Sequence, residues 1–231
     1  MKNKKLLYII LVFVLAFNLI GCTKKANFTL ITDNYNGIDL NKINNYEIQV
    51  EFRPNDKSYL ANQKTTYINN TGEDLKEIYF HLYPRAYSSI KTAPILFESQ
   101  KLKENYITGS MEIENLKINK KDMDFKIGGV TDTILRIPLD NLLKPKESVE
   151  IYMEYSVRLP QNIDRFGFGE DIFNFGNWYP ILAVYDDKGW NLDPYYSLGD
   201  PFYSDMANYK VQITTPKDIV VASSGNILSE K

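Results

Sequence analysis

Apolar and polar residues alternate with a period of two along much of the chain, and this pattern restricts the fold more than any other feature. In the clearest run, 148–157, every second residue is apolar and most of the others are polar. Such alternation is typical of a β-strand with one face on a core and the other in water. No segment keeps a 3.6-residue helical pattern beyond a turn or two. Further strands are predicted at 46–53, 64–69, 75–83, 111–118, 125–127, 133–138, 209–214 and 219–222.

Many short strands separated by turn signals predict an all-β fold, either an antiparallel multi-sheet saddle or a β-sandwich. The composition agrees, since 44% of the 231 residues are hydrophobic, 24% are charged, and tyrosine and phenylalanine are abundant. These values are typical of a globular protein and favour β structure. The formal net charge of −2 provides no basic surface for phosphates, so no nucleic-acid partner is expected.

The first 22 residues resemble an export signal. Three lysines near the start precede an apolar run, 6–17, which is shorter than the roughly 20 residues needed to span a bilayer. The run is followed by Leu19-Ile20-Gly21-Cys22, which resembles the bacterial lipoprotein signal. In that signal the cysteine is lipidated and the chain is cut just before it. Cys22 is the single cysteine of the sequence, so it cannot form an internal disulfide.

The chain is therefore predicted to comprise a signal peptide, 1–21, a tether, 22–44, and one β domain, 45–231. Lipidated Cys22 would hold that domain on the outer face of the bacterial cytoplasmic membrane, with the membrane as its partner. An uncleaved single-pass anchor that ends in Cys22 is the alternative, and it leaves the domain on the same side.

The residue inventory excludes several kinds of catalysis. The chain has one histidine, His81, whereas the H-E-x-x-H zinc motif needs two. A Ser-His-Asp triad would have to use His81, which lies near a predicted strand end, and no Gly-x-Ser-x-Gly motif accompanies it. We therefore predict no catalytic residue, metal ligand or cofactor in this chain. His81 is expected to be a hydrogen-bonded structural residue between Tyr79 and Tyr83.

An aromatic stretch, 168–190, is the strongest candidate for a functional surface. Large aromatic side chains lie there among acids and glycines, and Gly167, Gly169 and Gly176 permit a tight backbone. The stretch can border a ligand cleft or form an irregular part of the core. For Trp190 the core is the favoured interpretation.

Two segments resemble the amino-terminal domain of the aminopeptidase N family of zinc metallopeptidases. One is YFHLYPRAY (79–87). The second, 169–225, has Trp-Tyr-Pro, Tyr-Asp…Gly-Trp, Gly-Asp-Pro-Phe-Tyr-Ser-Asp and Thr-Pro-Lys-Asp in order. The resemblance covers Tyr46 to the carboxyl end and implies a β-structured saddle.

The resemblance also implies that chemistry lies elsewhere. In the family, a separate thermolysin-like domain carries the Gly-x-Met-Glu-Asn strand and the zinc helix, and neither motif occurs here. The expected chain is thus truncated or split before the zinc-binding domain. Its partners would be a downstream catalytic domain or subunit and a peptide substrate.

In the family the amino-terminal domain supplies one wall of the substrate cleft, often with a glutamine that binds the peptide's amino end. The corresponding segment here has no glutamine, and Asn174 or Glu170 can take that role. The resemblance implies a cleft wall at Glu170, Asn174, Phe175, Gly176, Asn177, Trp178 and Tyr179. A stand-alone lipoprotein that binds peptides or carbohydrates on the same saddle is the alternative function.

Overall fold

The computed structural model describes residues 34–35, 38–39, 42–95 and 106–230. The signal peptide and Cys22, on which the lipidation prediction depends, lie outside these ranges. The strands, numbered in chain order, are β1 Asn34–Tyr35, β2 Ile38–Asp39, β3 Asn44–Arg53, β4 Ser58–Ile68, β5 Leu75–His81, β6 Ser110–Ile118, β7 Lys121–Asp122, β8 Lys126–Gly128, β9 Ile134–Leu143, β10 Ser148–Arg158, β11 Phe166–Phe168, β12 Phe173–Phe175, β13 Ile181–Leu182, β14 Tyr185–Asp186, β15 Gly189–Trp190 and β16 Ala207–Thr214.

Six strands form the larger sheet, in the order β16-β3-β4-β10-β6-β7. The alternation in the sequence determines which side faces inward: Tyr46, Ile48, Val50 and Phe52 of β3 are buried, while the glutamates between them are exposed. The long strand β10 pairs antiparallel with β4 on one side and with β6 on the other. At the edge, β16 pairs parallel to β3, which is an exception to the otherwise antiparallel pairing.

The smaller sheet has four antiparallel strands in the order β13-β5-β9-β8. Its central strands bury Ile78 and Phe80 of β5 and Leu135 and Ile137 of β9 completely. These side chains belong to the same hydrophobic core as the inner face of the larger sheet. The predicted all-β, multi-sheet fold is therefore confirmed.

The structure differs from the predicted strands in several places: β4 and β9 are longer than predicted, β1, β2 and β7 were not predicted, and three further differences bear on the site. Strand β5 ends at His81, and Pro84 lies in a 3₁₀ helix, Tyr83–Ser88, because proline cannot donate to a strand ladder. The predicted strand 219–222 is wrong: this segment has no strand pairing, and Val220 is 95% exposed. The five short strands from β11 to β15 had no period-two signal, because each has only two or three residues.

Residues Asn34–Ala222 form one compact unit that contains all the described strands. Of the second unit, residues 223–230 are described, and they contain no helix or strand. Within the described ranges, no helix is both long enough and apolar enough to cross a membrane.

Candidate functional site

The aromatic stretch begins with a short hairpin, formed by β11 and β12, which we call the aromatic hairpin (166–175). Phe166 pairs with Phe175 at one end, and Phe168 pairs with Phe173 at the other, next to the turn. The rings of Phe173 and Phe175 contact Phe52 edge-to-face, at centroid distances of 4.8 and 5.2 Å. These aromatic contacts fix the hairpin on the larger sheet.

Asn174 stabilises the base of the hairpin. Its side-chain Nδ2 donates to the carbonyl oxygens of Ile163 and Asp164, at 3.0 and 2.7 Å. Both amide hydrogens are therefore used to hold the preceding loop, and Oδ1 is the atom left for a ligand. Asn174 can accept a hydrogen bond from a bound amine, but it is already occupied as a donor.

The backbone next to the hairpin needs glycine. A Cβ on Gly176 would lie 2.6 Å from the carbonyl oxygen of Arg165, and that same oxygen accepts the Gly176 N–H at 2.7 Å. The next residue, Asn177, has the left-handed conformation, with φ of 52°, which asparagine tolerates better than most residues. This sharp turn directs the chain from β12 towards Trp178.

Three side chains from the inner face of the larger sheet hold the backbone of 178–182. The Tyr59 hydroxyl donates to the carbonyl oxygen of Trp178. Gln63, which is fully buried, donates from Nε2 to the Pro180 carbonyl oxygen at 2.9 Å. The backbone N–H of Leu182 donates to the Tyr46 hydroxyl at 3.0 Å.

The same segment also reaches the smaller sheet. Ile181 and Leu182 form β13, which pairs with His81 and Phe80 of β5. The backbone of 178–182 thus joins the two sheets, and this part of the candidate wall has a structural role whatever it binds.

The rings of Trp178 and Tyr179 are half-buried and pack on the larger sheet. Trp178 contacts Tyr59 at a centroid distance of 5.7 Å. Tyr179 contacts Tyr46 at 5.6 Å and donates from its hydroxyl to that of Tyr209 at 3.0 Å. Burial raises the pKa of the Tyr179 phenol, followed in importance by the hydrogen bond with Tyr209. Tyr179 therefore stays protonated at neutral pH and can serve only as a neutral partner.

Glu170 lies apart from the other candidates. It is exposed in the turn of the aromatic hairpin, whereas 176–179 follow the opposite end. Its neighbour Asp171 is also exposed, and Ile172 beside them is 54% exposed. The structure therefore places 176–179 after one end of the aromatic hairpin and the Glu170 carboxylate at the other end, the hairpin tip.

His81 is a structural residue in this fold. It is 1% exposed, its ring stacks on Tyr83 at 4.8 Å with an interplanar angle of 2°, and Nε2 lies 3.1 Å from the carbonyl oxygen of Asn191. Burial lowers the pKa of the imidazole, while the bond to Asn191 and the charge of Asp193 oppose the shift. The hydrogen bond and the packing on Tyr83 agree with the sequence prediction. The sequence did not predict that the hydrogen-bond partner is the carbonyl oxygen of Asn191.

Trp190 is half-buried and contacts one tyrosine of each sheet. Its ring lies 6.3 Å from that of Tyr67, on the larger sheet, and 5.6 Å from that of Tyr79, on the smaller one. Trp190 packs against the hydrophobic core but is not one of its buried members, so the sequence interpretation of Trp190 as a core residue agrees only in part.

Tyr46, Tyr59 and Gln63 were missed by sequence reasoning. Gln63 has a detectable signal, because it is a large polar residue at an inward position of β4, where its neighbours on the same face are buried. A buried amide requires partners. The sequence cannot show that the partner is a carbonyl more than one hundred residues away.

The described residues do not form a zinc site. Within the described part of the chain, no three histidine, cysteine, aspartate or glutamate side chains lie close enough together to hold a metal ion. Among the described residues, the zinc of the family that the sequence resembles therefore has no set of ligands.

Comparisons with known proteins gave matches among solved structures only. No protein-family model matches the sequence, and neither does any curated protein. A two-domain M1 zinc metallopeptidase bound to L-arginine matches at 15% identity and a TM-score of 0.48, over 82% of this chain and 36% of that one.

A mutant of the M1 zinc metallopeptidase from Deinococcus radiodurans, bound to a Tyr-Ser-Ala substrate, matches at 14% identity and a TM-score of 0.47. This match again covers 82% of this chain and 36% of the neighbour. The chain thus spans about a third of the length of these two neighbours. Matches at this level of identity and TM-score assign neither a family nor an activity to the chain.

Proposed function

We propose that residues 45–231 form the substrate-flanking, non-catalytic β domain of a membrane-tethered zinc aminopeptidase. The zinc and the catalytic groups would be supplied by a separate domain or subunit. The peptide would lie along the aromatic hairpin, from Glu170 at its tip to Asn174–Tyr179, and lipidated Cys22 would hold the assembly at the outer face of the bacterial cytoplasmic membrane.

The observation that carries this proposal is the ordered motif series at 169–225. Its Trp-Tyr-Pro element is built into the junction of the two sheets, where Tyr59 and Gln63 hold the backbone. Such a junction holds the half-buried rings of Trp178 and Tyr179 in one position, as a wall for a bound peptide requires. A free α-amino group is cationic at neutral pH and needs acceptors.

Glu170 and Asn174 differ in what they offer such a group. Glu170 is exposed and can bring a negative charge, while Asn174 offers one neutral oxygen because its donors are engaged. A hydrogen bond to a charged partner contributes more than a neutral one. We therefore assign recognition of the amino end to Glu170 and positioning of the loop to Asn174.

A binding experiment tests this assignment. The purified protein is titrated with a tripeptide that has a free amino end and with the same peptide acetylated there. We expect the free peptide to bind more tightly. Glu170→Gln should weaken its binding about ten-fold, whereas the matched control, Asp171→Asn, should leave it within two-fold.

Two further measurements test the domain's place in an enzyme. The protein alone should not hydrolyse an aminoacyl-nitroanilide, and zinc-dependent turnover by the purified chain would overturn the proposal. The DNA downstream, read in all frames, should encode Gly-x-Met-Glu-Asn and H-E-x-x-H. Their absence, together with equal binding of the acetylated peptide or tight binding of an oligosaccharide, would instead support a stand-alone binding lipoprotein.

Lipid attachment has its own test. Metabolic labelling with a fatty acid in a bacterial host should mark the wild-type chain and not the Cys22→Ser variant. Label that persists in Cys22→Ser would show that Cys22 is not the attachment site.

A further inference from the structure

A row of amide side chains crosses the outer face of the larger sheet, the face turned away from the core. Gln212 of β16 pairs with Gln49 of β3, and Gln49 pairs with Asn62 of β4. Asn62 pairs in turn with Glu154 of β10. The three amides are exposed, and each carries both a donor and an acceptor. The row therefore offers both kinds of hydrogen-bonding group along one line across the strands.

Two adjoining cavities lie on this face, and we call them together the outer-face groove. The first has a volume of about 340 Å³ and is lined by the amide row, Glu154 and two further glutamates, Glu51 and Glu114. The second has a volume of about 380 Å³ and is lined partly by Tyr152 and Asn115. Glu154 lines both cavities. Each cavity has the size of a small-ligand site.

The ring of Tyr152 lies along the sheet at the boundary between the two cavities. Its hydroxyl donates to Oε1 of Glu154 at 2.9 Å and lies 3.3 Å from Oδ1 of Asn62. Glu154 is two residues further along β10 on the same face, so these contacts direct the ring along the strand instead of out into solvent. Tyr152 is half-buried. It therefore offers one face of a fixed aromatic ring beside the amide row.

The charges of the first cavity favour a neutral ligand. Glu51 is paired with Arg53 at 2.8 Å, and Glu154 accepts the hydrogen bond from Tyr152. Among the described residues, no lysine or arginine lines this cavity. A phosphate or carboxylate ligand would therefore find no base there. Hydroxyl groups, by contrast, can donate to the carboxylates and both donate to and accept from the amides.

We propose that the outer-face groove binds a neutral oligosaccharide. One sugar ring would lie with its C–H groups on the face of Tyr152, and its hydroxyls would bond to Gln49, Asn62 and Glu154. This arrangement uses both the apolar and the polar parts of a sugar. Tyr59 and Gln63 hold the segment 178–182 on the opposite, inner face of the sheet. The sugar site is therefore separate from the proposed peptide site.

Ligand-observed NMR of the purified protein tests the proposal with three neutral probes: cellotriose, maltotriose and tri-N-acetylchitotriose. We expect at least one of them to bind with a Kd of about 0.1–10 mM, because few side chains line the groove. Trigalacturonate has a carboxylate on every ring. It should bind at least about ten-fold more weakly than the best neutral probe, since the first cavity has no base to receive those charges.

Variants on the outer face test the location of the site. Tyr152→Ala removes the ring and should weaken binding by about ten-fold. Tyr196→Ala is the matched control: it removes a tyrosine that is 55% exposed and does not line the groove, and it should leave the affinity unchanged. Gln49→Ala changes an exposed residue outside the core and should weaken binding about three- to ten-fold. This second variant keeps the test valid if Tyr152→Ala does not fold.

Three outcomes would overturn the proposal. The first is that none of the three neutral probes binds. The second is binding that neither Tyr152→Ala nor Gln49→Ala weakens, which would place the sugar on another surface. The third is that trilysine binds more tightly than every sugar and loses affinity as salt is added, which would show that the glutamates select cations. Glu170→Gln should leave sugar binding unchanged, so failure of the peptide site and failure of the sugar site can be told apart.

Discussion

At His81, burial determines how stability depends on pH. The Nε2–H donates to the Asn191 carbonyl, so Nδ1 is the unprotonated nitrogen, and it has no hydrogen-bond partner among the described residues. Protonation of Nδ1 would place a charged donor in the interior without an acceptor. The only carboxylate acting on the ring in the described structure is that of Asp193, and it does not reverse the lowered pKa.

We therefore predict that stability falls as the pH decreases through the imidazole range. Because burial lowers the pKa of His81 in the folded state, the unfolded chain binds the proton more readily. The contribution of neutral His81 to the free energy of unfolding is complete above the unfolded pKa of about 6.5. It is lost at lower pH, by up to about 1.4 kcal/mol per pH unit. Urea unfolding at pH 7.5 and 5.5 should show a smaller pH effect in His81→Gln than in wild type. Equal pH effects in the two proteins would show that His81 does not contribute.

The link between β12 and Trp178 tolerates no side chain at Gly176. A methyl group there would lie 2.6 Å from the Arg165 carbonyl oxygen, which is backbone and cannot rotate away. We predict that Gly176→Ala lowers the free energy of unfolding by about 1–3 kcal/mol, since the hairpin must shift from the sheet.

Gly128→Ala in β8 is the matched control for Gly176→Ala. Nothing lies within 4 Å of a Cβ at Gly128, and its φ is not in the left-handed range. Its change in free energy of unfolding should stay within about 0.5 kcal/mol. Urea unfolding of both variants measures the difference. Equal effects would mean that the close approach at Gly176 relaxes at little cost.

The two sheets share one core, so the molecule should unfold in a single step. Trp178 packs on the larger sheet through Tyr59, and Trp190 lies between Tyr67 and Tyr79 of the two sheets. These are the only tryptophans of the sequence. Trp178→Phe and Trp190→Phe therefore each leave a single tryptophan. The fluorescence of the first variant reports the surroundings of Trp190, and that of the second reports the surroundings of Trp178.

We predict that, in each single-tryptophan variant, the fluorescence midpoint in urea coincides with the far-UV circular dichroism midpoint of the same variant. Coincident transitions are the signature of two-state unfolding. Separate midpoints would show that the sheets unfold independently and that the junction at 178–182 does not couple them.

Periodicity alone determined the all-β class and most of the long strands. In 148–157 the alternation selected the buried face, because a strand's side chains point to opposite sides in turn. The same local rule failed at 219–222, where apolar residues found no neighbouring strand. The alternation rule predicted none of the strands β11 to β15, since two or three residues cannot show a period.

At the candidate site, too, some features were predictable from the sequence and others only from the tertiary structure. The sequence by itself showed where the aromatics and glycines are concentrated, and that this chain cannot form an H-E-x-x-H zinc site. Only the tertiary structure decided that Asn174 uses both donors on a loop, that Gln63 and Tyr59 hold the backbone of 178–182, and that Glu170 lies at the other end of the hairpin. Those contacts join residues ten to about 120 positions apart, and local pattern carries no information about which distant carbonyl will satisfy a buried donor.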